Sequence, residues 1–183
     1  MKELALHILD IVQNSISADA DTVTLEINEN TKKKLLTIKI KDDGKGIEKN
    51  ILKNITDPFV TSREARPVGL GLSLFKAAAE RCEGSFKIES DEKGTTVKAV
   101  FKKNHIDRAP LGAIAQSVVS ILLWDSEIDF KYIHTYNNKK FVFDTEVIKN
   151  KLDGIEITNK KIINWLKNYI KENVSEIRGG EFN

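Results

Sequence analysis

The sequence has little or nothing of several features that assign a chain to a class. Its one cysteine, Cys82, excludes an internal disulfide and a cysteine zinc cluster, and it suits a reducing compartment. The 29 basic and 27 acidic residues nearly balance, so the charge gives no support to nucleic-acid binding. No run of about 18 apolar residues and no signal-peptide core occurs. We therefore expect a soluble, cytoplasmic chain without a membrane partner.

Two nucleotide-binding signatures are also missing. No Gly-x-x-x-x-Gly-Lys-Ser/Thr string occurs, and strands do not alternate singly with helices, so a P-loop or Rossmann fold is disfavoured. The hydrophobic pattern instead runs helix, two strands, loop, helix, two strands. This order predicts an α+β fold, a two-layer sandwich with helices on one face of a sheet.

Residues 3–18 are predicted to form an amphipathic helix, because their apolar residues recur at helical spacing. The opposite side has a stripe of four polar residues, His7, Asp10, Asn14 and Ser17. Such a stripe can be a solvated face, but solvated faces usually present Lys and Glu. Short Asp and Asn side chains are poor helix formers and good ligands for a metal or water, so we expect a site beneath this face.

A carboxylate follows the second predicted strand. Residues 22–28 and 36–40 alternate apolar and polar, which predicts an antiparallel hairpin. The hairpin leads into Asp42-Asp43-Gly44-Lys45-Gly46-Ile47. Asp-Gly is a common turn signal, but an aspartate at a strand end beside two glycines can also lie over a pocket that the backbone closes. Its carboxylate would accept a hydrogen bond from an exocyclic amine.

Residues 57–76, DPFVTSREARPVGLGLSLFK, lead from a polar loop through Gly69 and Gly71 into an apolar-periodic helix. Glycines at a helix start let a ligand approach the backbone, where free N–H groups and the helix dipole favour an anion such as phosphate. A tight turn is the alternative reading. The helix is predicted to stop at Gly84, before a second hairpin.

These segments occur in a fixed order. An asparagine on the first helix precedes DDGKGI after a strand, and then come DPFVTSRE, GLGLSLFKAAAERCEG and a Gly94-Thr95-Thr96 hairpin. In this order they resemble the GHKL ATPase family, which comprises the ATP-binding domains of histidine kinases, DNA gyrase B, Hsp90 and MutL. The resemblance spans residues 4–101. It implies a Bergerat fold, a mixed sheet covered on one face by helices, with ATP and Mg²⁺ as cofactors.

The resemblance also implies roles for individual residues. Asn14 would coordinate Mg²⁺, and Asp42 would take the adenine amino group. Gly44 and Gly46 would shape the adenine pocket, and Arg63 would lie near the phosphates. The ATP-binding set that it implies is Asn14, Asp42, Gly44, Gly46, Ile47, Thr61, Arg63, Gly69, Leu70, Gly71, Leu72 and Thr96, or Thr95 in its place.

The chain departs from any single branch of that family. The segment from DPFVTSRE to VGLGLSL is similar to the histidine kinases, whereas the first helix is similar to MutL. Asp10 stands where the MutL branch has a glutamate that activates water, and it is one methylene shorter, so it is a possible base for hydrolysis. Pro67 replaces the first glycine of the usual lid motif and should stiffen the lid through its fixed φ.

Residues 104–177 are predicted to form a separate small α+β module after an ATP-binding domain of residues 1–103, with a disordered tail at 178–183. The elements predicted within the module are helices at 111–123 and 147–152, a hairpin of 128–135 and 140–144, and a last amphipathic helix with Asn159 as its N-cap.

His105 begins a segment, HIDRAPL, that resembles the phosphoacceptor box of histidine kinases. It differs in having Ile106 where the box has an acidic residue, and it follows the ATP-binding domain instead of preceding it. A phosphoacceptor needs a neutral imidazole in line with the γ-phosphate. The alternative is a linker histidine before a proline-started helix. His7 could border the phosphates, and His134 is predicted on a strand surface.

Three functions remain open. The first is a Mg-ATP-dependent protein kinase of the histidine or serine type, which phosphorylates itself on His105 or a partner protein. No phosphoacceptor helix pair precedes residue 3, so a stand-alone kinase is expected. The second is an ATPase or ATP-gated switch with Asp10 polarising water. The third is a non-catalytic nucleotide-binding regulator. The kinase-like lid favours the first.

Overall fold

The computed structural model describes residues 3–52 and 70–180, which form six helices and six strands. In chain order the elements are α1 (Leu4–Ser17), β1 (Thr22–Asn30), β2 (Leu35–Asp42), α2 (Lys49–Leu52), α3 (Gly71–Arg81), β3 (Ser85–Asp91), β4 (Gly94–Lys102), α4 (Ile114–Trp124), β5 (Asp129–Tyr136), β6 (Lys139–Asp144), α5 (Thr145–Lys151) and α6 (Lys160–Ile177).

A single mixed sheet is the base of the fold. Its strand order is β3-β4-β2-β1-β5-β6, with β1 and β5 parallel and the other neighbouring pairs antiparallel. Side chains alternate between the two faces of a strand, so the apolar set Val23, Leu25 and Ile27 of β1 lies on one buried face. Helices α1, α3, α4 and α6 contact one another in a layer over that face. The predicted α+β sandwich is confirmed.

Helix α1 packs against the sheet and the other helices through one apolar side. Its buried residues include Leu4, Ile8, Ile11 and Val12, which recur at helical spacing. Full burial of one such side chain contributes about 1.5–3 kcal/mol. Helix α1 contacts both α3 and α4. Part of its polar stripe faces α3 and the ends of the strands.

The residues predicted as a separate module extend the same sheet. β5 pairs in parallel with β1 from Thr22 to Glu29, and β6 forms the edge beside it. Helix α4 packs between α1 and α6, and its buried residues belong to the same core as those of α1. The predicted boundary at residue 103 therefore falls between two strands of one sheet. Hydrophobic alternation reveals a strand but not its partner, so the sequence did not show this continuity.

A buried polar cluster joins β1, β5 and the end of α6, and it corrects two predictions. His134, predicted on a strand surface, is 0% exposed; its Nε2 lies 2.9 Å from Glu29 Oε1, and its Nδ1 lies 2.5 Å from the Tyr132 hydroxyl. Arg178, predicted in a disordered tail, donates from Nε to Glu29 Oε1 at 2.7 Å. Lys103 Nζ lies 3.0 Å from Glu29 Oε2.

The charges in this cluster explain why the tail residue is ordered. Burial alone would raise the pKa of Glu29, but the hydrogen bond from His134 and the positive charges of Arg178 and Lys103 outweigh it and lower the pKa to about 2. Burial lowers the pKa of His134, which favours its neutral ring. His134 points inward because it continues the buried alternate residues of β5.

The start of α6 is capped by the predicted residue, whereas the end of α3 differs from the prediction. Asn159 caps α6, since its side chain accepts a hydrogen bond from a backbone N–H in the first turn, as predicted. After α3 the left-handed residue is Glu83, with φ of 50°, and not Gly84. A Cβ on Gly84 would instead lie 1.8 Å from Val100 O. Within residues 3–52 and 70–180, no helix has the length and apolar composition to cross a membrane.

Candidate functional site

A cavity of about 170 Å³ opens between α1 and the neighbouring ends of β2 and β4. Its lining residues are Ile11, Asn14, Ser15, Ser17, Ala18, Asp42, Lys45, Gly46, Ile47, Leu72, Thr95 and Val97. Apolar walls with a few placed polar groups are the usual composition of a small-molecule site. The structure thus brings together six of the predicted site residues, namely Asn14, Asp42, Gly46, Ile47, Leu72 and Thr95, the alternative to Thr96.

Asp42 is the buried anion of the cavity and is 7% exposed. Its Oδ1 accepts hydrogen bonds from the backbone N–H of Gly44 at 3.2 Å and of Thr95 at 3.0 Å. Its Oδ2 accepts from the Ser15 hydroxyl at 2.7 Å. Three donors on one carboxylate hold it in a single orientation and offset the cost of removing it from water.

The two glycines after Asp42 let the loop close around the cavity. Gly46 has φ of 69°, and a Cβ there would lie 1.8 Å from Asp91 O. A Cβ on Gly44 would lie 2.8 Å from Ala18 O, at the end of α1. Both positions therefore need glycine for close backbone approach. Gly46 lines the cavity and Gly44 does not, and the role of both in an adenine pocket stays a prediction.

Thr95, and not Thr96, lies at the cavity. Thr96 pairs with Lys41, and the next residue, Val97, pairs with Ile40, so Thr96 is on the opposite face of the sheet. The alternation along β4 decides between the two threonines, because Thr95 is on the same face as the buried Val97, Ala99 and Phe101. The Thr95 hydroxyl lies 2.9 Å from the Ser90 hydroxyl, within the same hairpin.

Asn14 lines the cavity from the middle of the polar stripe, and its side chain has one amide oxygen. Mg²⁺ takes oxygen ligands, keeps several waters and is commonly bound by one or two side chains together with phosphates. Among residues 3–52 and 70–180 no group of three or more His, Cys, Asp or Glu could hold a metal ion by itself. The amide oxygen of Asn14 is of the ligand type that fits a Mg²⁺ arriving with a phosphate ligand.

Asp10 lies one helical turn before Asn14 and beside the start of α3. A Cβ on Gly71 would lie 3.0 Å from the Asp10 Cβ, so a side chain at Gly71 would press the two helices apart. Partial burial between the helices raises the pKa of Asp10. The first N–H groups of a helix favour negative charge, so the start of α3 is suited to an anion.

His7 does not border the cavity, which corrects its predicted position. Its ring stacks on Phe75 of α3, with 5.3 Å between the ring centres, and it is 3% exposed. Burial, and then the positive N-terminus, lower its pKa to about 4. His7 is therefore a neutral core residue between α1 and α3.

Four predicted residues of the phosphate side lie outside the described residues, namely Thr61, Arg63, Pro67 and Gly69. Of their neighbours, Leu70 precedes α3 and is exposed, and Gly71 is the first residue of the helix. Leu72 is buried and lines the cavity.

His105 lies far from the cavity. It follows β4, whose other end carries Thr95, and the strand between Thr95 and Lys102 spans about 23 Å. Its Nδ1 accepts a hydrogen bond from the Asp107 N–H at 3.2 Å, and its Nε2 lies 3.9 Å from Glu83 Oε1, just beyond the end of α3. The structure therefore does not bring His105 to the site of the same chain.

Sequence reasoning missed two hydroxyl groups of the site. Ser15 is a polar residue within the apolar side of α1, and a buried hydroxyl on such a side indicates a hydrogen-bond partner. Ser90 accepts from the Ile47 N–H at 2.8 Å and donates to Gly94 O at 3.1 Å, which joins the loop after β2 to the β3–β4 turn. No local pattern indicated Ser90.

A protein-family model described as "Histidine kinase-, DNA gyrase B-, and HSP90-like ATPase" matches residues 2–105, more than half of the chain. Two similar proteins are the sensor protein KdpD of Clostridium acetobutylicum, 38% identical over 102 residues, and sporulation kinase A of Bacillus subtilis, 30% identical over 96 residues. The alignments cover 53% and 52% of this chain but only 11% and 16% of those proteins.

Among solved structures, the Aquifex aeolicus MutL ATPase domain complexed with ADP is similar over 100% of this chain and 71% of that chain. The identity is 12% and the TM-score is 0.47.

Proposed function

Since the chain belongs to the histidine kinase-, DNA gyrase B- and HSP90-like ATPase family, we propose that it binds Mg·ATP in the cavity beneath α1. It would then transfer the γ-phosphoryl group to a histidine or serine of a partner protein. The observation that carries the proposal is the placement of Asp42 and Asn14 in one cavity. The names of the relatives, among them sporulation kinase A and sensor histidine kinase WalK of Bacillus subtilis, favour transfer.

The base of the nucleotide would occupy the apolar part of the cavity. Its 6-amino group would donate to Asp42, whose carboxylate is already fixed by three donors and needs no reorganisation on binding. Ile47, Leu72 and Val97 would supply apolar contact for the rings. Gly46 would allow the backbone to approach the base.

The phosphates would extend from the base towards Asn14 and the start of α3. Asn14 would hold Mg²⁺ through its amide oxygen, and the bound ion would neutralise phosphate charge. The N–H groups at the start of α3 would face the phosphates. Thr61, Arg63 and Gly69 are proposed to complete this end. Phosphoryl transfer depends mainly on positioning and electrostatic stabilisation, and these groups supply both.

The phosphoryl acceptor would come from another molecule. His105 lies at the opposite end of β4 from Thr95, so it does not reach the cavity of its own chain. A partner protein could present its acceptor side chain at the mouth of the cavity near Asp10. Phosphorylation of His105 would require a second copy of the chain.

ATP hydrolysis is the second candidate function, and Asp10 is the observation that favours it. Asp10 lies beside Gly71 at the start of α3, and burial raises the pKa of its carboxyl. A base is most effective when its pKa approaches the working pH, so this shift is in the useful direction. In that case Asp10 would accept a proton from the attacking water.

The experiment is to follow the labelled γ-phosphate after the pure chain is mixed with Mg·ATP, with and without candidate partner proteins. Transfer predicts label on the partner, acid-labile for histidine and acid-stable for serine. Hydrolysis predicts free phosphate without labelled protein. Label on the chain itself that disappears in His105→Ala would establish transfer between copies. Label that remains on ATP with every partner would contradict both functions.

Two variants separate the roles. Asn14→Ala should reduce either reaction by about 100-fold or more, because the metal loses its protein ligand. Asp10→Asn should abolish hydrolysis but leave transfer to a histidine within about tenfold, because a histidine acceptor needs no base at Asp10. Activity that survives Asn14→Ala unchanged would contradict the proposed Mg²⁺ site.

A further inference from the structure

Ser15 is a serine on the buried side of α1, the side that also carries Ile11 and Val12. It is 3% exposed. A buried hydroxyl needs a hydrogen-bond partner. Two acceptors are within reach, namely Asp42 Oδ2 at 2.7 Å and Ile11 O, one turn back, at 3.3 Å.

The hydroxyl has one proton and can donate fully to only one of these acceptors. A distance of 2.7 Å to a carboxylate is within the range of a charge-assisted hydrogen bond, whereas 3.3 Å to a neutral carbonyl is long. The proton of Ser15 is therefore directed at Asp42. It is not available to donate to a ligand in the cavity.

Within residues 3–52 and 70–180, the hydrogen bonds of Asp42 leave one acceptor direction open. A carboxylate has about four acceptor positions. The backbone N–H groups of Gly44 and Thr95 occupy both positions of Oδ1, and Ser15 occupies one of Oδ2. The torsion about the carboxylate of an aspartate is soft. Two backbone N–H groups hold Oδ1, and Ser15 is the side chain that holds Oδ2.

We propose that Ser15 is a positioning residue for nucleobase recognition. It orients Asp42 so that the remaining position on Oδ2 accepts one N–H from the ligand. Ser15 thereby sets the preference of the cavity for a 6-aminopurine over a purine without that group. This inference rests on the proposed binding of ATP and adds the residue that makes the binding selective.

The test is equilibrium binding of two nucleotides to the full chain, ATP and purine riboside triphosphate, which lacks the 6-amino group. Ser15→Ala should weaken ATP binding by about tenfold or more, because Asp42 Oδ2 is no longer held in the orientation that accepts the 6-amino group. Binding of the analogue should change by less than about twofold. The ratio of the two affinities should therefore fall.

Ser117→Ala is the matched control, because Ser117 is also a buried serine on a helix whose hydroxyl reaches the carbonyl four residues back. It lies on α4, away from the cavity, and both affinities should stay at the wild-type values. If Ser15→Ala does not fold, Ser15→Cys keeps the shape with a weaker donor and should shift the ratio in the same direction.

Three results are decisive. A Ser15 variant that lowers the affinity for both nucleotides by the same factor has lost structure only, and this result overturns the inference. A Ser15 variant that leaves both affinities at the wild-type values also overturns it, while the proposed function stands. A wild-type chain that binds neither triphosphate overturns the proposed function and this inference with it.

Discussion

His7 shows how burial changes the charge of a single residue. His7 belongs to α1, and its ring stacks on Phe75. Its Nδ1 has no hydrogen-bond partner in the part of the chain that the structure describes. A protonated ring there would be a buried cation without a partner. Burial therefore lowers the pKa of His7 from 6.5 to about 4, and the folded state keeps the ring neutral.

Acid should destabilise the fold through His7. Between about pH 4 and pH 6.5 the unfolded chain binds a proton on His7 that the folded chain does not, so the free energy of unfolding falls as the pH is lowered, by up to about 3 kcal/mol. The measurement is urea unfolding at pH 7 and pH 4.5 for the wild type and His7→Phe, which keeps a ring but does not titrate.

The variant should lose less stability than the wild type between these two pH values. Some loss will remain, because burial also lowers the pKa of His134. The Glu29 carboxyl, with a pKa of about 2, contributes stability above its unfolded pKa of 4.5 that is lost only below that value. The same pH dependence in both proteins would show that His7 titrates in the folded state.

Single residues were predictable where the signal is local. Asn14 follows from helical spacing, and Asp42 from its place between a strand and a Gly-x-Gly turn. Thr95 could be chosen over Thr96 as well, because Val97, Ala99 and Phe101 alternate along β4 and Thr95 is on their face. Ser15 was missed because serine is unremarkable in a helix until its partner 27 residues away is known.

At the scale of the element, the loop after β2 is built by close backbone contacts. The Ile47 N–H donates to the Ser90 hydroxyl, and Gly46 approaches Asp91 O at a positive φ. Because a side chain at Gly46 would occupy the position of a carbonyl oxygen, the loop must move away from the β3–β4 turn in any other variant. This movement would open the wall of the cavity.

Gly46→Ala should therefore lower the free energy of unfolding by about 2 kcal/mol or more and weaken ATP binding at the same time. The control is Gly154→Ala, since Gly154 also has a positive φ, 85°, but no atom lies within 4 Å of its Cβ position. It should cost about 1 kcal/mol and leave ATP binding unchanged. Chemical unfolding and nucleotide titration of both variants measure this difference.

An equal loss of stability in the two glycine variants would indicate that backbone strain alone accounts for Gly46. Unchanged ATP binding in Gly46→Ala would separate the loop from the nucleotide site.

The helices and hairpins themselves were predictable because their periodicity is local. α1, both N-terminal hairpins and the β5–β6 hairpin occur close to the predicted residues. The parallel pairing of β5 with β1 was not predictable, because it joins segments more than 100 residues apart and produces no periodic pattern in the sequence. The same holds for the contact of Arg178 with Glu29.

At the scale of the whole molecule, the described residues form one sheet and one core, so the two halves of the chain should unfold together. β1 lies between β2 and β5, and α4 packs against α1. Without residues 104–180 the β1 edge would be unpaired, and apolar residues of β1 and α1 would be exposed to water. The polar cluster of Glu29, His134 and Arg178 would also be broken.

A chain cut to residues 1–103 should therefore lack a cooperative unfolding transition, whereas the full chain should show a single one. Calorimetry and near-UV circular dichroism during heating measure the unfolding transition of each protein. A cut chain that unfolds cooperatively near the temperature of the full chain would support the separate domain predicted from the sequence.

The central claim is that Asp42 and Asn14 are the two ends of one Mg·ATP site. The most direct measurement is a crystal structure of the chain with Mg²⁺ and a non-hydrolysable ATP analogue. We predict the 6-amino group within hydrogen-bond distance of Asp42 Oδ2, beside the Ser15 hydroxyl, and Mg²⁺ between the phosphates and the Asn14 amide oxygen. A nucleotide bound elsewhere, or with its amino group turned away from Asp42, would contradict the account.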